Sequence, residues 1–408
     1  MKNFNILIAL AGFFFILVYT LFINHTGFCY DEPYYLSNVD IISRLGWGAD
    51  FLENLKGPAG PLHAWIHYIL KPITEMRVLP TRMVNIVFAF IILFLVYKII
   101  RVINPEKQHV AFLFLAIPMT YPTMGMALTE IPAMLFFSLS LLLLVLVLCQ
   151  NIPMTIFSGG VLLVIGGLSF ALAFSGRQPY LMCLGAFAII PFYKLSADKR
   201  VWLALYVIIC LIIPLCLFWI WKGLAPSIGG DYATKDFLSP LNFILGLGYS
   251  AMTMLFLAPG FFIPINKKIT FGYIAISFMI LSFCVYFHFG FIPMRTLFEN
   301  ILPKFILQYY GCFICTILIV IGIYFIHSLV KRGFEKKNDF TYVLISVMLF
   351  ALIFSCIKVT HQFSSRYVFQ AAPLFLIIAS FYYKPKKYYL VLSALGLIIG
   401  VLSLVNYC

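Results

Sequence analysis

Charge is scarce in this sequence: Asp, Glu, Lys and Arg make up 10% of its residues, against about 25% in a soluble globular domain. That shortage, beside 63% hydrophobic residues, excludes a water-soluble fold and places the chain in a bilayer. Nucleotide and metalloprotease motifs are also missing. No phosphate loop, dinucleotide fingerprint or zinc-protease motif occurs, which excludes ATP-driven pumps and metalloproteases. Energy for any reaction must come with the substrate or from a gradient. The 10 cysteines lie mostly inside apolar runs, as Cys183, Cys210, Cys216, Cys284 and Cys315 do, where a thiol behaves as a small hydrophobe. No disulfide framework is legible, and a Cys29 to Cys408 pairing stays open. Internal repeats are absent, and the apolar runs leave little chain for a soluble domain, so residues 1–408 read as a single transmembrane domain.

What is present is a series of apolar segments. At roughly 20 residues per spanning helix, 408 residues hold about a dozen spans. The segments centre in 6–23, 83–102, 109–124, 131–149, 155–174, 178–193, 201–221, 248–265, 270–290, 306–329, 340–357, 367–383 and 388–406. This predicts an all-α polytopic transmembrane bundle of about 11–13 spans. The first run is too long for a signal-peptide core and no small-residue cleavage site follows it, so it reads as a retained span. A net charge of +14 would suit nucleic acid only if it clustered on one exposed face. Instead the basic residues punctuate alternate connections: Lys98/Arg101/Lys107, Lys194/Lys199/Arg200, Lys267/Lys268, Lys331/Arg332/Lys336/Lys337 and Lys384/Lys386/Lys387. Together with Lys2 these orient the N-terminus to the cytoplasm.

The connections on the opposite side are uneven, and the first, residues 24–82, is the longest. Tyr34, Tyr35, Val39, Ile42 and Leu45-Gly46-Trp47 recur at helical spacing between polar residues, as in an interfacial amphipathic helix with aromatic anchors. The Lys56-Gly57-Pro58-Ala59-Gly60-Pro61 turn precedes a short apolar stretch, His63 to His67, expected on or dipping into the membrane.

Polar groups gather on this outer side. Asp31-Glu32, Glu130, Arg177-Gln178, Asp231, Arg295 and the string from His361 to Tyr367 each fall within a few residues of an outer helix end. Any one of them could merely mark the end of a span. Their common side is the stronger signal, because ionisable groups beside apolar segments tend to face a bundle interior or cavity. A carboxylate of the Asp31-Glu32 pair, at a membrane edge, can act as a general base; the pair read alone could equally be solvated loop acids. Arg177 and Arg366 interrupt apolar sequence, and guanidinium groups hold phosphate in bidentate fashion, although either could be snorkelling to the interface. His63 and His67 have the i, i+4 spacing of a metal pair, but lack a clear third ligand; interfacial packing is the better reading, and no metal is assigned.

These residues resemble the C superfamily of membrane glycosyltransferases, which take sugar from a polyprenyl phosphate or diphosphate carrier. The resemblance covers most of the chain: a first span, a long outer loop opening on an acidic pair, amphipathic helices in that loop and about a dozen spans. Protein O-mannosyltransferases and lipid A aminoarabinose transferases carry such a pair in the equivalent loop, which implies Asp31 as base, with Glu32 beside it. A narrower similarity is to the dolichol-pathway alpha-1,2-glucosyltransferase. YDEPYY and KGPAGPLHA echo its first loop, SGRQPY its Arg-Gln pair, GGDYATKD its Gly-Asp loop and HQFSSRYVFQ its late His and Arg-Tyr segment. The chain departs at LTEIPAM, where Glu130 stands in place of an expected Asp, and in its compressed HQFSSRY string.

The resemblance implies catalytic Asp31 and Glu32, with Lys56, Glu130, Arg177, Gln178, Asp231, His361, Arg366 and Tyr367 binding substrate. It further implies transfer from a polyprenyl-phosphate sugar to a hydroxyl of a glycan, lipid or protein, on the non-cytoplasmic face and with inversion. No cofactor is required, with a divalent cation the alternative; no nucleic acid is involved. The expected location is a bacterial cytoplasmic membrane. The main rival is a transporter or flippase of a lipid-linked or anionic substrate, for which the sequence offers no repeat symmetry.

Overall fold

A computed structural model of the chain describes residues 2–23, 27–57, 59–149, 159–226, 238–285, 303–359 and 363–407. Among them every regular element is helical. The chain starts with α1 (Lys2–Val18), which ends in a π turn over Tyr19–Ile23. The outer loop then forms α2 (Glu32–Leu45), α3 (Ala49–Glu53) and α4 (Leu62–Thr74) before the second long helix, α5 (Val78–Ile103). The 109–124 segment is divided: Pro105–Ala116 winds as a 3₁₀ helix and Thr120–Gly125 forms α6. There follow α7 (Glu130–Cys149), α8 (Val161–Gly176), a second 3₁₀ helix (Gln178–Phe192) and α9 (Ala197–Trp221). The second half holds α10 (Pro240–Leu257), α11 (Lys267–Val285), α12 (Lys304–Glu335), α13 (Phe340–Phe354), α14 (Arg366–Phe369), α15 (Ala372–Tyr382) and α16 (Lys387–Tyr407).

Among the described residues eight helices are long and apolar enough to cross a membrane, and four shorter apolar helices accompany them. The shorter ones include Gln178–Phe192. Wound as 3₁₀ with a rise of about 2.0 Å per residue, a 15-residue segment reaches roughly 30 Å, the thickness of the hydrocarbon core. The extended winding thus compensates for the short run. The C-terminal part of the Pro105–Ala116 helix is enclosed, with Val110, Ala111 and Leu113 to Ala116 fully buried between α1, α5, α15 and α16. In lipid there is no hydrophobic force between helices, so close backbone approach at small residues does the joining. At the α10/α12 crossing, a Cβ on Gly248 would lie 2.7 Å from Leu318 Cβ, and one on Gly322 would lie 3.1 Å from the Gly248 nitrogen.

The basic connections gather at one end of the bundle. Asn104 Nδ2 donates to the Ser380 carbonyl (3.1 Å), Arg332 reaches the carbonyls of Gly260 and Phe261, and Lys336 lies over the rings of Tyr342 and Phe381. The first loop covers the other end. Its amphipathic helices are where the sequence predicts them, and α4 turns Ile69 and Ile73 outward while burying His63 and His67. Loop closure is specific: Asn38 exchanges two hydrogen bonds with the backbone of Lys56, and Trp221 Nε1 donates to the Leu52 carbonyl at 2.9 Å. Cys29 is in a disulfide; Cys408 lies outside the described residues.

Candidate active site

The adjacent acids Asp31 and Glu32 separate at the start of α2. Glu32, the first residue of the helix, points into the protein and is fully buried. Its carboxylate receives Arg82 Nε on Oε1 (2.8 Å) and Arg82 Nη2 on Oε2 (2.6 Å), and accepts the backbone N–H groups of Ala127 (2.7 Å) and Cys29 (2.8 Å). Four donors saturate it. A bidentate, buried and hydrogen-bonded ion pair of this kind is costly to disturb from either side. Glu32 is therefore engaged as the peg that fixes the loop to α5 and to the chain before α7, with no oxygen left to accept a substrate proton. Its partner is Arg82, the last residue of the outer connection 24–82 and not among the residues that the sequence singles out.

Asp31 faces the other way. It precedes α2 without capping it, and Tyr30 before it holds a left-handed backbone (φ 55°). For a non-glycine residue that conformation costs on the order of 1 kcal/mol and persists where surroundings impose it. Here Arg366 supplies the surroundings: its guanidinium lies 4.8 Å from the Tyr30 ring centroid and donates from Nη2 to Asp31 Oδ2 at 2.9 Å. The Asp31 side chain is 36% exposed, so the carboxylate is both positioned and reachable.

Behind this pair lies a buried charge cluster. Glu130 opens α7, where the helix dipole favours an anion, and its side chain is fully buried. It contacts the Arg177 guanidinium, while Arg366 Nη1 stands 3.7 Å from its Oε1. Arg177 sits between α8 and the 3₁₀ helix, both Arg residues are buried, and Tyr367 adjoins them. Burial pushes the Tyr367 phenol up, and the charges of Arg177 and Arg366 oppose that shift. Beyond these contacts, Arg177 Nε, Arg366 Nε and Nη1 and both amide atoms of Gln370 are buried without a hydrogen-bond partner among the described residues. Buried polar atoms are rarely left unpaired. The Gln370 backbone is tied to the Arg177 segment, its carbonyl accepting the Tyr180 hydroxyl at 3.0 Å.

Five of the ten residues singled out in the sequence thus converge: Asp31, Glu130, Arg177, Arg366 and Tyr367. Gln178 does not join them, since its Nε2 donates to the Leu224 carbonyl (2.7 Å). Lys56 is exposed and serves through its backbone. Asp231 and His361 lie outside the described residues. Tyr30, Arg82 and Gln370 were not anticipated as parts of the site. The His63 and His67 rings lie with centroids 4.3 Å apart, tilted by 51°, and His63 Nε2 meets the Ala127 carbonyl at 2.9 Å. Burial, reinforced by His67, holds His63 well below the usual imidazole range, and burial pushes His67 down to about 4. Both are neutral. No group of three or more His, Cys, Asp and Glu placed for a metal ion occurs among the described residues.

Fold and site define the class: an all-α, polytopic membrane protein with an accessible carboxylate backed by two buried guanidinium groups. No family model matches the chain. No curated protein matches it. Among solved structures it is similar to ArnT from Cupriavidus metallidurans in the apo state, at 12% identity and a TM-score of 0.46 over 98% of this chain and 75% of that one. The same protein bound to undecaprenyl phosphate is similar at 12% identity and a TM-score of 0.46, over 98% and 76%.

Proposed function

We propose that the protein is a membrane glycosyltransferase that moves a sugar from a polyprenyl-phosphate carrier to an acceptor hydroxyl on the non-cytoplasmic side of the membrane. The observation that supports it best is the Asp31–Arg366 pair at 2.9 Å backed by Arg177 and Glu130. It puts one reachable base beside two buried cations at the loop-covered end of the bundle. A sugar leaving with a lipid phosphate already has a good leaving group, so a single carboxylate with cationic help for the phosphate suffices. Asp31 accepts the proton of the acceptor hydroxyl as that oxygen attacks the anomeric carbon. The bond from that carbon to the phosphate oxygen breaks, its electron pair passes to the phosphate, and Arg366 and Arg177 stabilise the charge. One displacement inverts the anomeric centre. The prenyl chain stays in lipid, consistent with a site at the membrane edge, and the positive-inside pattern supports a cytoplasmic N-terminus.

Purified protein supplied with a panel of polyprenyl-phosphate sugars and a hydroxyl acceptor tests this. Transfer by wild type and a loss of about 10²-fold or more in Asp31→Asn are expected, the usual weight of a general base. Full activity in the variant removes Asp31 as base, and lipid movement across vesicles without transfer turns the assignment to a flippase.

A further inference from the structure

Two guanidinium groups and one carboxylate are buried together at this site, and the count is unusual for a phosphate-binding place. Glu130 is fully buried in contact with Arg177, and 3.7 Å from Arg366. A bound phosphate would have to share both cations with it. Asp31 differs because its side chain is 36% exposed: water solvates its carboxylate and weakens its hold on Arg366, and it becomes neutral on taking the acceptor proton. The charges acting in the low-dielectric interior are therefore Arg177, Arg366 and Glu130, a net of one positive charge.

Resting on the glycosyltransferase reading, we propose that Glu130 is a specificity-determining residue: it cancels one of the two buried cations so that the site accepts a phosphodiester of single charge and disfavours a diphosphate diester carrying two. A sugar linked to its lipid through one phosphate has the first charge, and one linked through a diphosphate has the second. An unopposed Arg pair would favour the dianion. An internal carboxylate leaves the second charge without a partner, and burying an unpaired charge is strongly unfavourable. Glu130 also holds both guanidiniums in place before the carrier arrives, and Arg177 Nε and Arg366 Nε, buried without a hydrogen-bond partner, are the donors left for phosphate oxygens.

The test is binding without chemistry. Full-length protein in detergent is titrated with a short-chain prenyl methyl phosphodiester and with the matching prenyl methyl diphosphate, at fixed ionic strength. Wild type is expected to prefer the phosphodiester. Glu130→Gln, which keeps the shape and removes the charge, should shift the affinity ratio toward the diphosphate by roughly tenfold or more, the scale of one charge at a few ångströms in a partly buried site. Glu130→Gln combined with Arg177→Gln restores the net charge of one and should return the ratio toward wild type. A purely structural Glu130 would instead weaken both ligands equally in the single variant and would not be reversed in the double one; either result overturns the proposal. If Glu130→Gln does not fold, Arg177→Gln alone should move the ratio further toward the phosphodiester, and an unmoved ratio overturns it. Wild type that binds neither probe refutes the glycosyltransferase reading itself, whereas phosphodiester binding with an unmoved ratio refutes only the role of Glu130.

Discussion

Glu32→Gln separates the two adjacent acids. The substitution keeps size and removes the charge that Arg82 grips with two hydrogen bonds, at 2.8 and 2.6 Å, where both side chains are fully buried. Arg82 is then left as a buried cation without its counter-ion, which costs about 3–5 kcal/mol. The amide also presents N–H where Arg82 or the backbone of Cys29 or Ala127 now donates, so at least one buried donor loses its acceptor at about 1–3 kcal/mol. Thermal unfolding of the purified protein in detergent should show a large loss of stability for Glu32→Gln and for Arg82→Gln. The paired replacement Glu32→Met with Arg82→Met should recover most of it, because replacing both partners with apolar groups leaves no buried charge. A Glu32→Gln protein that melts like wild type while losing transfer would refute this reasoning and make Glu32 the chemical group.

Asp31→Asn should behave in the opposite way, lowering transfer by about 10²-fold or more while changing stability by no more than about 1 kcal/mol, since its pair with Arg366 is partly exposed; calorimetry beside a transfer assay reads both. Arg366→Lys should keep the charge but lose the fork that spans Asp31 and Glu130, lowering kcat by about tenfold or more, and retention of full kcat would show that charge alone suffices. The histidine pair predicts a pH dependence. His67 falls from 6.5 to about 4 on folding, so its neutral form stabilises fully above pH 6.5 and that stability is lost as pH falls toward 4. The loss amounts to roughly 3 kcal/mol. His67→Leu should flatten the melting profile between pH 7 and 5, and an unchanged slope would exclude the pair as its source. Gly248→Leu should weaken the bundle by thrusting a side chain into Leu318, read as a lowered melting temperature.

Much of the architecture was legible locally. Apolar run length reveals spans because the bilayer requires about 20 apolar residues per α-helix, and the basic connections sorted the ends. Where that rule strained, at 109–124 and 178–193, the cause is the change of winding to 3₁₀, which periodicity in so apolar a sequence does not record. The first loop helix was legible because α2 alternates polar and apolar residues at helical spacing, whereas α4 read only as a short apolar stretch at the membrane. The site was legible as a set of types on one side, and five of those residues meet. Gln178 misled because its neighbour Arg177 turns inward while it turns toward Leu224.

By itself, the sequence determined that the chain lives in a membrane as a helical bundle, which side of it holds the candidate site residues, and that an acidic pair opens the first loop. These follow from composition and local spacing. Which acid is free was decided only by tertiary structure, because the deciding partners are remote: Arg82 stands 50 residues from Glu32 and Arg366 stands 335 from Asp31. Consecutive residues at a helix start point in different directions, so one carboxylate is drawn into a dry pocket with a saturating partner and the other is left at the surface beside a cation. No property of Asp31-Glu32 as a dipeptide distinguishes them.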